Sequence, residues 1–552
     1  MIKAKRLMAV LLLIALVFSL SGCGLLDVER LVGKFIDYSR NGGTSFSDME
    51  YVRPEAEDLR SCADSICAML DGGSDYDDVA DALDEFYVLY WSFYTMKTLA
   101  DIRSDLDTSD EFYIGEYEYC ATAEADVSTI FTELMVSCAD SALSSELDEN
   151  YFGGMLAANY SGGYDSGFEA LNGLYLKESE LLTRYRSLLV EFSACRDMTA
   201  AYRDFNEDIG EIYIDLVKNR HAIARELGFE SYEELAYYQF GREYTPDDLE
   251  DYLAAIREYL VPVFKAAYES GVLDEAYEAL YGIDADEALQ YVLKQAVADM
   301  SPRLESAMSF MLKYGLYDVE YSPTKLDASY VIYIDDYNSP FLFVNPQGYE
   351  GDVLTIAHEF GHFCDSYENF DLNYNLDTSE TLSQGMEYLV LSYLQDEELA
   401  EDLIRFKMTD TLYLYMNQAC FNEFEHRVFS LPENELTVNK VNSIYAECAE
   451  LYCMGAEYGA EDVGLTWIDV SHFFDYPFYV VSYCVSDTAA FSLYDAEYYG
   501  KGAGLEAYLR ILEDAENLDF LELLDEAGLG DIISADSVKS IAETISDRLG
   551  LN

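Results

Sequence analysis

Apolar residues recur at helical spacing along most of this chain, and strict alternation is rare. From about residue 46 to 197 the pattern predicts acidic helices, interrupted by loop signals at Gly153-Gly154 and Ser161-Gly162-Gly163. From 198 onward the helix punctuation sharpens. Gly228 suits a helix stop, Ser231 with Glu234 suits a capping box, and Thr245 with Pro246 and Asp248 suits a second helix start. Two runs break the helical pattern. Tyr330–Ile334 and Phe341–Val344 are β-branched and aromatic, and Asp335, Asp336, Asn338, Ser339 and Pro340 separate them, which predicts a hairpin or two short strands. A helix is then predicted from Asp352 through Tyr367, another around Ser379–Tyr388, and one beginning at Pro477. The expected fold class is mainly α with a small β-sheet, in an N-terminal helical region (46–197) and a second region (198–552).

The first residues follow a different rule. Lys3, Lys5 and Arg6 precede an apolar run from Leu7 to Leu20, and Leu20-Ser21-Gly22-Cys23 follows. That run is shorter than the roughly 20 residues a membrane-spanning helix needs, so it reads as an export signal. The four residues ending at Cys23 resemble the bacterial lipobox. The resemblance implies a cleaved signal peptide (1–22), lipidation of Cys23, a tether (23–45), and a protein held on the bilayer at the cell envelope, outside the cytoplasm.

Charge narrows the partners. With 33 Lys+Arg against 106 Asp+Glu the formal net charge is −73, and 50% hydrophobic residues leave ample material for a core. Such a surface repels nucleic acid and anionic headgroups, so no nucleic-acid partner is expected; cationic peptides and metal ions are attracted. Ten cysteines follow Cys23 without a CxxC pair, and most read as small buried hydrophobes.

His358-Glu359-Phe360-Gly361-His362 carries the chemistry. On a helix, imidazoles four residues apart share one face and can meet one zinc ion, while Glu359 beside them reaches a water at the open position. A catalytic zinc wants a third protein ligand. Glu368, Asp371, Glu380 and Glu387 all lie downstream; spacing prefers Glu380 or Glu387 and does not separate them. Cys364, two positions past His362, points to the other side of the helix.

The HExxH segment, followed after 17 residues by Glu380-Thr-Leu-Ser-Gln-Gly-Met-Glu387, resembles the oligoendopeptidase F and thimet oligopeptidase family of zinc metallopeptidases. The resemblance implies one zinc ion held by His358, His362 and Glu380, with Glu387 as the outer partner of a ligating histidine. Trp467–Tyr483 is similar to the family segment whose His and two Tyr bind the scissile carbonyl, which falls here on His472, Tyr476 and Tyr483; Tyr479 is an alternative on the same helix face. Tyr213–His221 and Phe421–Arg427 are weaker echoes, and His221 and His426 within them read as structural. The family further implies a two-lobed helical body around a deep channel, with the sheet beside the zinc helix, and substrates that are short unstructured peptides cut internally. The strand before that helix would bind an extended substrate through Phe343 and Asn345. Glu359 would act as general base, with His472 and the tyrosines as oxyanion donors. A metallocarboxypeptidase of related fold, or a lipoprotein that binds peptide or zinc without catalysis, are the alternatives.

Overall fold

A computed structural model describes residues 43–154, 156, 160, 166–280, 282–369, 375–454, 463–515 and 517–551. The export signal, Cys23, most of the tether, Ser161-Gly162-Gly163 and Asp371 lie outside the described residues. Two compact units divide the chain. The first combines residues up to Asp165 with Ser301–Gln347 and Ser366–Leu372; the second combines Ser166–Met300, Gly348–Asp365 and Asn373–Asn552.

This partition differs from the boundary expected at 197/198, because contacts distant in sequence decide it. Segment 301–347 returns to the N-terminal helices: Tyr330 donates to Asp105 (2.8 Å), and the Asp336 N–H donates to Thr95 (3.0 Å). Residues 166–193 instead join the second unit, where Asn219 donates to the Leu174 carbonyl (2.8 Å) and Arg220 to Glu178 (2.6 Å).

In the first unit, helices α1 (Ala56–Gly72), α2 (Tyr76–Leu106) and α3 (Glu111–Asp140) are started and stopped by local chemistry. Asp75 and Asp110 cap the N-termini of α2 and α3, and α1 ends at Gly73 with φ +74. Their apolar faces meet in a core that includes Leu59, Ile66, Leu83, Phe86, Val127 and Leu134. Gly153 and Gly154 turn with positive φ, as the loop signal predicts.

The same unit holds the sheet, ordered β1 (Tyr317–Asp318), β3 (Ser339–Val344), β2 (Ser329–Ile334). The expected hairpin is present: β2 and β3 pair antiparallel from Ser329↔Val344 to Ile334↔Ser339, turning through Asn338 in the left-handed region. The two-residue β1, too short for a periodicity signal, pairs parallel with Leu342 and Phe343. The substrate-strand expectation needs correcting here. β3 is the central strand, and its neighbours occupy both edges at Leu342 and Phe343. Phe343 is buried, stacked on Tyr330 with the Lys325 ammonium over its ring, and buried Asn345 bonds Ser322 and Lys325. Neither side chain is available to a peptide. Among the described residues the outer edge of β2 is the longer one without a strand partner.

The second unit contains α4 (Ser166–Ser193), α5 (Met198–Glu226), α6 (Tyr232–Gln239), α7 (Pro246–Ala255), α8 (Asp352–Asn369, its last turn in the first unit), α9 (Leu376–Tyr393), α10 (Glu397–Phe429), α11 (Val481–Tyr499) and α12 (Ala503–Asp514). Thr245, Pro246 and Asp248 form the complete capping box at α7. At α6 Ser231 accepts from the Glu234 N–H, but the Glu234 carboxylate takes the N–H of Glu230 instead of closing the box. No helix among the described residues is long and apolar enough to cross a membrane. None of the ten cysteines forms a disulfide, and six are buried, Cys364 among them.

Candidate metal centre

The centre is built where α8 meets α9. Small residues set how closely the two helices approach. A Cβ on Gly361 would stand 2.6 Å from the Leu382 carbonyl oxygen and from Ser383 Cα, so the glycine within HExxH lets the two backbones touch. On the far side of α9, a Cβ on Gly385 would stand 2.9 Å from Leu493 of α11.

This contact brings three side chains together. Glu380 Oε2 lies 3.7 Å from His358 Nε2 and 3.9 Å from His362 Nε2, and the three ligand atoms fall within 4.8 Å of one another. The other ring nitrogens are held from behind. His358 Nδ1 pairs with Glu387 Oε1 (2.9 Å), and His362 Nδ1 with Ser379 Oγ (3.2 Å), which turns both Nε2 atoms toward Glu380. Glu387 is anchored in turn by the Lys407 ammonium of α10 (2.8 Å), which is itself buried. Lys407 and Ser379 escape a sequence reading. Ser379 is visible only as the residue before Glu380, and Lys407 is one cation inside a long amphipathic helix.

Electrostatics follow from this packing. Burial opposes charge on His358, yet the hydrogen bond to Glu387 and the surrounding carboxylates lift it to about 9. His362, buried and facing His358, is pushed well below the ordinary histidine range. Burial raises Glu380, and it lifts Glu359 to about 7, with Glu380 and Glu387 adding to the rise and His358 opposing it. Glu387 is lowered because Lys407 and His358 outweigh its burial.

The residues present fit a divalent metal. Two imidazoles and a carboxylate are a catalytic zinc donor set, and tetrahedral ligands at about 2.0–2.2 Å stand roughly 3.3–3.6 Å apart, close to the separations here. The Glu359 carboxyl is 5% exposed, and its Oε2 has no hydrogen-bond partner, so a buried acceptor stands beside the cluster.

Two family profiles match the chain: Peptidase M3 N-terminal domain over residues 46–159 and Peptidase family M3 over 270–543. The chain belongs to peptidase family M3. Among M3 relatives, Oligopeptidase PepF of Bacillus subtilis (strain 168) is 23% identical over 48% of this chain and 41% of its own length. The plasmid Oligoendopeptidase F of Lactococcus lactis subsp. cremoris is 26% identical over 42% and 40%. The matched region thus spans about two fifths of these relatives. Solved structures carry the fold further: PZ peptidase A with an inhibitor aligns over 92% of this chain and 99% of its own (TM-score 0.71, 22% identity). Oligoendopeptidase-F from Enterococcus faecium aligns over 90% and 96% (TM-score 0.51, 15% identity). The mainly α fold is therefore shared with these solved structures.

The remaining positions singled out in the sequence fall as follows. His472, on a one-turn helix over Ser471–Asp475, faces Tyr479 and Tyr483, with ring centroids 5.6 and 6.2 Å apart. Burial lowers its pKa, leaving a neutral imidazole at pH 7. Tyr479 donates to Glu380 Oε1 (3.3 Å) and hydrogen-bonds Tyr483, whose phenol is raised by burial and by Glu380 and Glu359 nearby. Tyr476 is 44% exposed, and its ring lies 6.2 Å from that of Tyr479. The helix expected at Pro477 begins instead at Val481, because Phe478 takes a left-handed conformation (φ +66) and breaks it. Glu368 pairs with Arg303 (3.2 Å). His426 pairs with Glu233 (3.0 Å), and His221 packs on Phe429, both away from the cluster.

Proposed function

We propose that this chain is a zinc-dependent oligoendopeptidase that hydrolyses internal bonds of short unstructured peptides at the cell envelope, anchored there through lipidated Cys23. The observation that carries the catalytic reading is the buried, partnerless Glu359 oxygen beside the His358, His362 and Glu380 donor set. A protein that only held metal or peptide would have no use for an uncompensated base at that position. When bound there, zinc would supply Lewis acidity, lowering the pKa of water toward neutrality and polarising the scissile carbonyl.

The chain's own groups do the rest. Glu359 Oε2 takes the proton from the attacking water and delivers it to the leaving nitrogen. Neutral His472 and the Tyr483 hydroxyl donate hydrogen bonds to the carbonyl oxygen as it gains charge, with Tyr476 joining them when peptide is bound. Tyr479 steadies Glu380 through its hydrogen bond. The net charge of −73 favours cationic peptides.

The test compares the soluble 24–552 form with Glu359→Gln, measuring metal content and turnover of an internally quenched peptide. The parent is expected to hold about one zinc and to cut internally; the variant keeps the metal and loses turnover. Stepwise release of C-terminal residues would replace the endopeptidase with a carboxypeptidase. Zinc binding without cleavage of any peptide in a mixed library would leave a binding protein.

A further inference from the structure

The backbone between His472 and Tyr483 is irregular, and buried charged side chains from other helices grip it. Arg220 of α5, itself fixed by Glu178, donates to the carbonyls of Phe473 (3.2 Å) and Phe474. Arg242, in the turn between α6 and α7, donates through one nitrogen, Nη2, to the Phe478 carbonyl (2.6 Å), the Tyr479 carbonyl (3.3 Å) and Ser482 Oγ (2.7 Å). Glu425 of α10 accepts the Phe478 N–H through Oε2 (3.0 Å). Both peptide groups of Phe478 are therefore held by buried side chains, one acidic and one basic, and this residue has φ +66 without being glycine. A left-handed phenylalanine is strained and persists only where its surroundings impose it. The next residue, Tyr479, donates to the other oxygen of the Glu380 carboxylate.

Local backbone preference does not require this arrangement. A right-handed turn at 478 would continue the helix from Pro477 and avoid the strain, and it would also swing Tyr479 along the helix. The other guanidinium nitrogens of Arg242, Nε and Nη1, have no hydrogen-bond partner and lie among the rings of Tyr237, Phe240 and Tyr244, with the buried Asp377 and Glu425 carboxyls balancing its charge. Burying a guanidinium and a carboxyl that are only partly satisfied is costly, and the structure directs them at the two peptide groups that flank the Phe478 Cα.

We infer that Arg242 and Glu425 are positioning residues: together they clamp Phe478 in its left-handed conformation, and so aim the Tyr479 hydroxyl at Glu380. The inference rests on the peptidase reading for its effect on turnover, and on the donor set alone for its effect on metal affinity.

The test is a double-mutant cycle between Arg242→Met and Tyr479→Phe, read in two ways: zinc affinity by chelator competition, and kcat and KM on the quenched peptide. Each single variant is expected to raise the zinc Kd about tenfold and to lower kcat by about 10–100-fold with KM within about threefold, and the double variant should match the worse single. Multiplicative losses in the zinc cycle, or no loss from Arg242→Met, would overturn the clamp, since a merely structural arginine acts independently of Tyr479. Arg242→Lys keeps one donor and serves the same cycle if Arg242→Met does not fold. Glu425→Gln, which retains an oxygen acceptor for the Phe478 N–H, should recover most of what Glu425→Ala loses; equal loss from both would also overturn it. A parent that cuts no peptide while the zinc cycle stays non-additive removes the peptidase reading and leaves the clamp. A cutting parent with an additive zinc cycle does the reverse.

Discussion

Gly361→Ala is the sharpest probe of how the metal centre is assembled, because two simple effects oppose each other. Gly361 sits mid-helix, where alanine is favoured by about 1 kcal/mol, so local propensity alone predicts stabilisation. Tertiary packing predicts the opposite. The new Cβ would lie 2.6 Å from Leu382 O and from Ser383 Cα, and such contacts essentially never fall below 3.0 Å, so α8 and α9 must part by about 0.4 Å or more. Both obstacles are backbone atoms that cannot rotate away. Overpacking of this kind costs about 1–3 kcal/mol, leaving a net destabilisation of roughly 0–2 kcal/mol. The metal site registers the same movement. Glu380 is carried by the helix being pushed, and its Oε2 already stands 3.7 and 3.9 Å from the two histidine nitrogens. Zinc affinity should therefore fall by about tenfold, comparable to losing an outer partner of a ligand. Urea unfolding of the metal-free protein and chelator competition measure the two quantities separately. Stabilisation by about 1 kcal/mol with an unchanged zinc Kd would refute the reasoning, since that is what helix propensity without interhelical contact produces.

Lys407→Met leaves the buried Glu387 carboxylate with His358 as its remaining partner, which should cost up to about 3–5 kcal/mol in urea unfolding, and adding Glu387→Gln should restore part of the loss. Tyr483→Phe should lower kcat by about 100-fold while zinc content stays at one ion per chain, as expected for an oxyanion donor and checked by steady-state kinetics with metal analysis. In the first unit, burial and neighbouring Asp105 raise Asp101 from 3.8 to about 7. A carboxyl with a raised folded pKa holds its proton more tightly when native, so its contribution is full below about pH 3.8 and is lost as pH rises through about 7. Urea unfolding at pH 4.5 and 7.5 should show a loss on the order of a few kcal/mol that Asp101→Asn largely removes.

Local signals were legible wherever a few adjacent residues carry the physics. Thr245-Pro246-x-Asp248 closes its capping box, the aromatic runs flanking Asn338 pair as a hairpin, and HExxH lies on one helix. The spacing of His358 and His362 puts both imidazoles on one face whatever surrounds them. Glu380 and Glu387 show where such signals end. Seven residues apart, they project from nearly the same side of α9, so spacing cannot rank them. The register of α9 against α8, set at Gly361, gives Glu380 the Nε2 side of both histidines and Glu387 the Nδ1 side of His358.

Elsewhere the deciding contacts lie well beyond one or two turns, up to 241 positions away. Segment 301–347 reads as part of the second region until Asp105 and Thr95 claim it. A proline at 477 reads as a helix start until Glu425 and Arg242 fix Phe478 in the left-handed region and delay the helix to Val481. Phe343 reads as a strand residue open to a partner until β1, too short to leave a pattern, covers the second edge. By itself the sequence determined the helical character, the hairpin and the chemical identity of the donor set, because backbone propensity and side-chain spacing act over one or two turns. Which carboxylate faces the histidines, where the helix carrying Tyr483 begins and which unit owns the sheet were decided only in the tertiary structure. Each depends on the distance between backbones that are remote in the chain, and that distance is fixed by packing.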